Sequence, residues 1–456
     1  MRDRFEEVQK AYEYLNNKQE GEKRQQLEHF KLVLHGQTIL YTRYAQTLEP
    51  FKYAGYPMLL PLLEVKESMF SEENAPIVSL ALLTVYLTIR VSSMNGLEFF
   101  KVGGLEVLEK VLRHTVSLIS VHTSADDPTV KAVARVMQIF VLLSDSEQVR
   151  GGRERAVSNR AALLVSVDRQ LSTATCHTLQ PCGRLLGLTA LPPPPRLPLQ
   201  LRTRLMDSDG LIADVCRNLE FTQAPLLNKH TLKLFIQLSE RSEMQELVLH
   251  GGGLWRIVPY LFRFDHTLQG DEIDWGNETS WNAQLLKNEL AKMAAETLQS
   301  ICGMSSACPA HPMVTDCVRN LLTPGLALDL AKAADANEAG FAQRDFLERV
   351  NQNIEEKKLI WNQKQRDEMI EFCEVQLERL RNHEHDPFAA SAFKFESIKH
   401  EMQIEDVYVR VLLESEDPIV DDPERFLKML VVWLMEAVDQ PLPDEAEVRG
   451  ERRSIA

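Results

Sequence analysis

The chain has 456 residues, with 51 Lys and Arg against 66 Asp and Glu, a formal net charge of −15. Hydrophobic residues make up 44% and charged residues 26%, which excludes wholesale disorder and collagen-like structure. A chain this acidic has no overall footprint for nucleic acid. Its length suits two to four domains or one long repeat array, at roughly 100–200 residues per domain. The seven cysteines are scattered and odd in number, which points to a reducing compartment rather than a disulfide scaffold. The longest uncharged apolar stretch, Ala75 to Ile89, falls short of the ~20 residues needed to span a bilayer. The first residues, Met1-Arg2-Asp3-Arg4, are charged with no apolar core to follow. These features predict a cytoplasmic protein whose membrane contact is indirect or peripheral.

Helical periodicity runs through almost the whole chain. Phe5, Val8, Tyr12 and Leu15 share one stripe, broken by Asn16-Asn17 and Gly21. Leu27, Phe30, Leu34, Gln37, Tyr41, Tyr44 and Leu48 continue the spacing of three and four, with Gln37 the polar exception, until Pro50 ends the helix.

A repeat follows. Gly55, Gly104 and Gly253 are each followed by apolar residues one, four and eight positions on. A looser copy begins at Gly210-Leu211-Ile212-Ala213-Asp214-Val215. The first interval is 49 residues and the second 149, about three times as long. Further amphipathic helices lie between the copies, carried by Val130/Val133/Met137/Phe140 and by Leu227/Thr231/Leu234/Leu238. A period near 50 with a Gly-initiated apolar helix predicts an all-α, armadillo/HEAT-like helical solenoid. The glycine permits a sharp turn and close backbone approach.

One stretch breaks the pattern. Residues 150–204 contain no Phe, Trp, Tyr or Lys, and set nine arginines against Glu154 and Asp168. Leu191 and four prolines, Pro192 to Pro195, sit inside it. It reads as a disordered insertion or a gene-model artefact. The alternative is a basic segment that binds an anionic surface or an SH3-like domain.

The last quarter changes character. Phe341, Phe346, Leu347 and Val350 mark one helix, and Ile370, Cys373, Leu377 and Leu380 another. From Glu384 to Ala456 there are 18 acids against 8 bases. Val407, Val409 and Val411 alternate but sit between helical flanks, and are assigned to helix. The predicted organisation is a closing-helix remnant at 1–15, helical repeats at 22–149, the anomalous stretch at 150–204 and repeats again at 205–335. A helical region at 336–440 and a disordered tail at 441–456 complete it.

No catalytic constellation emerges. Cys302, Cys308, His311 and Cys317 lack the two-residue gap of paired zinc cysteines. Gly251-Gly252-Gly253 has no preceding strand or following Gly-Lys-Ser/Thr, so it reads as a helix–helix turn. Asp421-Asp422 has no partner base. No enzyme activity, cofactor or metal is expected.

Several short motifs then converge. Phe5, Val8, Ala11, Tyr12 and Leu15 resemble the closing helix of a DnaJ J domain. Pro50 to Leu59, Asn95-Gly96-Leu97 with Gly104 to Leu108, and Gly253-Leu254-Trp255 with Phe264 to Leu268 add to the likeness. The most specific is Leu359-Ile360-Trp361-Asn362, which resembles an Ile-Trp-Asn repeat. Together they resemble the family of large endosomal J-domain proteins known as receptor-mediated endocytosis eight, DnaJ subfamily C member thirteen. The likeness fails across residues 150–204.

The resemblance implies a non-catalytic scaffold in endosomal sorting and receptor-mediated endocytosis, peripheral on early endosomes. Implied partners are a sorting nexin, the WASH complex and, in the full-length form, the seventy-kilodalton heat-shock chaperone. Leu359, Ile360, Trp361 and Asn362 become candidate partner contacts. The family's His-Pro-Asp loop occurs nowhere in this sequence, so the chain is expected to be a fragment or truncated gene model that does not activate the chaperone. Two alternatives stand beside this reading: a co-chaperone, if the J domain is complete in the true gene product, and an armadillo-type adaptor unrelated to endosomes.

Overall fold

The computed structural model describes residues 25–120, 122–144, 197–208, 210–268, 273–275, 281–302, 326, 330, 339–352, 361 and 363–383. Every regular element among them is helical. They fall into two compact units, Met1–Arg256 and Ile257–Ala456.

The first helix, α1, covers 25–43. Leu34, Thr38 and Tyr41 turn inward. The expected stripe does not run unbroken to Pro50. Tyr44 leaves helical geometry at φ −117°, ψ 30°, and a single further turn, α2 (Ala45–Leu48), follows. Tyr44 is 54% exposed, so no core contact holds the stripe beyond Tyr41. The polar exception has a purpose: Gln37 Oε1 accepts the Tyr53 hydroxyl at 2.7 Å.

The repeat is visible as a recurring order of a Gly-led helix, a long helix and a short one. The first copy is α3 (Tyr56–Leu59), its 3₁₀ extension Leu60–Leu63, α4 (Ala75–Val91) and α5 (Ser93–Lys101). The second is α6 (Gly104–Leu118), α7 (Pro128–Ser144) and α8 (Leu197–Asp207). The third is α9 (Leu211–Arg217), its 3₁₀ extension Asn218–Glu220, α10 (Pro225–Leu238) and α11 (Ser242–His250). A fourth opens with α12 (Gly253–Leu261) and α13 (Ala283–Ile301). In the second unit α14 (Ala339–Asn351) packs on α13, and α15 (Gln363–His383) follows. A proline opens each of α4, α7 and α10, where its missing N–H is no loss.

The expected apolar register is the buried one. Tyr56, Leu59 and Leu63 are buried in the first copy, Leu105, Leu108 and Leu112 in the second, and Leu254, Ile257 and Leu261 in the fourth. The glycines divide two tasks between adjacent residues. Gly103 and Gly252 hold left-handed backbone, φ +79° and +75°, between the short helix and the next Gly-led one. Gly104 and Gly253 provide close approach: a Cβ on Gly253 would lie 2.6 Å from Val248 Cγ1, and one on Gly104 would meet the Phe99 ring.

Within the first unit α7 is the hub, packing against α4, α6, α8 and α10. Asparagines in the long helices clamp the loops before them. Asn228 Nδ2 donates to Phe221 O at 3.1 Å. In the second unit Asn288 Nδ2 donates to Asp265 O at 3.0 Å while its Oδ1 accepts from Asp265 N at 2.8 Å.

The expectation for residues 150–204 needs correction at its C-terminal end. Residues 197–204 belong to α8, where Leu201 is buried. Arg204 Nε donates to Glu109 Oε2 of α6 at 2.8 Å, and Arg202 Nη2 to Glu240 Oε2 at 2.8 Å. These arginines read as mutually repelling in the sequence because their carboxylate partners are nearly a hundred and some forty residues distant. Residues 150–196 lie outside the described residues.

Candidate functional site

The three long helices of the first unit, α4, α7 and α10, pack side by side in that order. Each buries most of its surface and leaves one stripe open. On α4 the open stripe includes Tyr86 and Arg90; on α7, Lys131, Arg135 and Gln138; on α10, Lys229, His230, Lys233 and Gln237. Apart from the adjacent Lys229 and His230, these positions are three or four residues apart, so each set lies along one side of its helix.

Side-chain contacts join the stripes. The Arg90 guanidinium lies 5.5 Å from the centre of the Tyr86 ring and that of Arg135, on the neighbouring helix, 5.2 Å. Tyr86 thereby contacts two cations through its negative ring face. Arg135 also donates to Gln138 Oε1. Across the α7–α10 seam sits His230. Burial, then the nearby charges of Lys229, Arg135 and Lys233, push its imidazole down to about 3, so it is neutral at physiological pH. Its Nδ1 is buried without a hydrogen-bond partner.

Acids stand at the edges of this face. Lys131 pairs at 2.8 Å with Asp126, on the loop before α7, and Glu240, just past α10, takes Arg202. The helices α4, α7 and α10 themselves contain no Asp or Glu. Their 17, 17 and 14 residues carry five cations. Against 66 acids in 456 residues, about seven would be expected in a segment of that combined length. The long helix of the fourth copy, α13, is different: it mixes Glu289 and Glu296 with Lys287 and Lys292.

The residues singled out from the sequence lie elsewhere. Trp361 is in the second unit and turned inward, 9% exposed. Its indole N–H donates to Val350 O at 3.0 Å and its ring stacks on Phe262 at 6.3 Å. That geometry makes it a packing residue. Leu359, Ile360 and Asn362 lie outside the described residues, as do Phe5, Val8, Ala11, Tyr12 and Leu15. Cys302 is buried, while Cys308, His311 and Cys317 are not described. The basic ladder escaped the sequence reading because net charge averages over it. The available signal was the lack of acids in three segments that occupy equivalent places in the repeat.

No protein-family profile matches the chain, and no solved structure matches it. Among curated proteins, DnaJ homolog subfamily C GRV2 of Arabidopsis thaliana is 27% identical over 453 residues. The alignment covers 98% of this chain and 15% of the relative, so the chain spans a small part of that protein's length. Among the described residues no helix is long and apolar enough to cross a membrane. The sequence is thus related, over nearly its whole length, to a DnaJ subfamily C protein.

Proposed function

We propose that this chain is a non-catalytic, protein-binding scaffold that serves endosomal sorting and receptor-mediated endocytosis, acting peripherally at early endosomes. The observation that carries the reading is the 27% identity to a DnaJ subfamily C protein across 98% of the chain. The fold supports it. Helices repeated side by side offer a long continuous surface for a partner's helix or extended segment. A sorting nexin and the WASH complex are the partners this reading selects.

The test is twofold. The tagged chain, expressed in cells, should concentrate on compartments carrying an early endosomal marker and co-purify a sorting nexin. A diffuse distribution together with no sorting nexin recovered would refute the reading. The relative's DnaJ name favours a second reading, co-chaperone action on the seventy-kilodalton heat-shock chaperone within a longer protein. Stimulation of that chaperone's ATP hydrolysis by the chain joined to a complete J domain, beyond what the J domain gives alone, would establish it.

A further inference from the structure

The ladder of α4, α7 and α10 has a charge balance opposite to that of the chain as a whole. The whole molecule carries −15, yet these three stacked helices carry five cations and no acid. The cations are neither scattered nor confined to helix ends. Arg90 and Arg135 flank one ring, Tyr86, and so bridge the first two helices. The next pair, α7 and α10, packs directly together, with Arg135 on one open stripe and Lys229, His230 and Lys233 on the other. The result is one row, Arg90–Tyr86–Arg135–His230–Lys233, running across the helix axes.

At one edge Asp126 pairs with Lys131, and at the other Glu240 is engaged by Arg202. No carboxylate is contributed by the three helices themselves. Tyr86 and the amides of Gln138 and Gln237 interleave an aromatic face and neutral hydrogen-bonding groups with the charge. Guanidinium groups bind carboxylates in a planar, two-pronged geometry.

From these observations we infer that the α4–α7–α10 face is a docking site for an acidic, extended peptide segment of a partner protein. The inference rests on the scaffold reading above and supplies the chemistry of one of its partners. Packed helices lie 8–10 Å apart, so the face spans about 20 Å from α4 to α10. An extended chain rises about 3.3 Å per residue, so six or seven residues cross it. Carboxylates at alternate positions of such a segment point to one side and meet Arg90, Arg135 and Lys233 in turn. A peptide fits better than an anionic membrane. The row is narrow and set in a chain whose remaining charge is strongly negative, and a flat anionic leaflet would repel that remainder.

The test uses the whole chain and two fluorescein-labelled decapeptides, one alternating Glu with Ser and one alternating Lys with Ser. Fluorescence anisotropy should show saturable binding of the Glu peptide only, weakening as salt rises from 50 to 500 mM, as screening requires. The variant Arg90→Glu/Arg135→Glu/Lys233→Glu should bind it at least tenfold more weakly while keeping its helical circular dichroism. Arg135→Gln alone, which retains the bond-forming side chain without the charge, should lose less. Equal binding of both peptides, or an unchanged affinity in the triple variant, would overturn the inference. So would phosphatidylserine vesicles that bind the chain through the same three residues while the Glu peptide does not. If the Glu peptide binds as expected and no sorting nexin is recovered from cells, the endosomal reading fails and the acidic-peptide site stands.

Discussion

Asn218 offers a direct test of the repeat. It stands eight residues after Gly210, where the other copies place Leu63, Leu112 and Leu261 eight residues after their glycines. All four side chains are fully buried, 0% exposed. In Asn218 neither the amide nitrogen nor its oxygen has a hydrogen-bond partner. A buried polar group without a partner costs about 1–3 kcal/mol. Leucine has the same number of side-chain heavy atoms and nearly the same shape, so Asn218→Leu removes that cost without opening a cavity. It also adds the transfer gain of an apolar group, about 1–2 kcal/mol after an imperfect fit. The expected result is a stabilisation of about 2–5 kcal/mol. Asn218→Ala relieves the same polar cost but leaves a void, and the two effects should nearly cancel. Urea unfolding followed by the fluorescence of Trp255, itself 1% exposed, reads both variants in the unit that contains them. Destabilisation of Asn218→Leu by more than about 1 kcal/mol would show that the amide is satisfied and that the third copy is not equivalent to the others.

Arg256→Ala should destabilise by about 3 kcal/mol in the same urea assay, because the guanidinium is almost fully buried and its loss strips three acceptors of a donor. Its Nε and Nη2 reach Glu220 Oε1 at 2.8 and 2.7 Å, and its Nη1 donates to Gly251 O at 2.8 Å and Gly252 O at 3.3 Å. The paired change Arg256→Met/Glu220→Leu should recover most of the loss, and a further loss would refute the assignment. His230 predicts an acid-labile first unit: its folded value, about 3, lies below the ordinary imidazole value of about 6.5, so the unfolded state binds the extra proton between them. Stability should therefore fall as pH drops below about 6.5, by up to about 1.4 kcal/mol per unit, and His230→Gln should flatten that slope. Burial pushes the Cys216 and Cys373 thiols up to about 12, so both should resist iodoacetamide at pH 8 in the native protein and react in urea, as mapped by mass spectrometry. Rapid native labelling of either would contradict its placement in the core.

Much of the architecture was legible because it depends on local periodicity. The stripes Val130/Val133/Met137/Phe140 and Leu227/Thr231/Leu234/Leu238 are buried as read, and the apolar positions one, four and eight after Gly55, Gly104 and Gly253 all face inward. The glycines serve both the turn and the close approach expected of them, but on adjacent residues. The left-handed turn falls on Gly103 and Gly252, and the close approach on Gly104 and Gly253. What the sequence hid depended on distant partners. Arg202 and Arg204 look like members of an arginine-rich insertion until α8 brings them to Glu240 and Glu109. Trp361 stands in a short sequence motif, and only the fold shows that its ring lies against Phe262 and its N–H reaches Val350 O. The basic ladder is assembled from residues up to 151 positions apart, from Tyr86 to Gln237, and no short window along the chain contains it.

The scaffold account is tested most directly by titration calorimetry of the purified chain with a purified sorting nexin. It predicts a saturable heat with a stoichiometry of one and an affinity in the micromolar range or tighter. The same nexin titrated into a chain denatured by urea and held unfolded should give none. Absence of measurable binding at concentrations of about 100 μM, where a dissociation constant of 10 μM would leave most sites filled, would contradict the account.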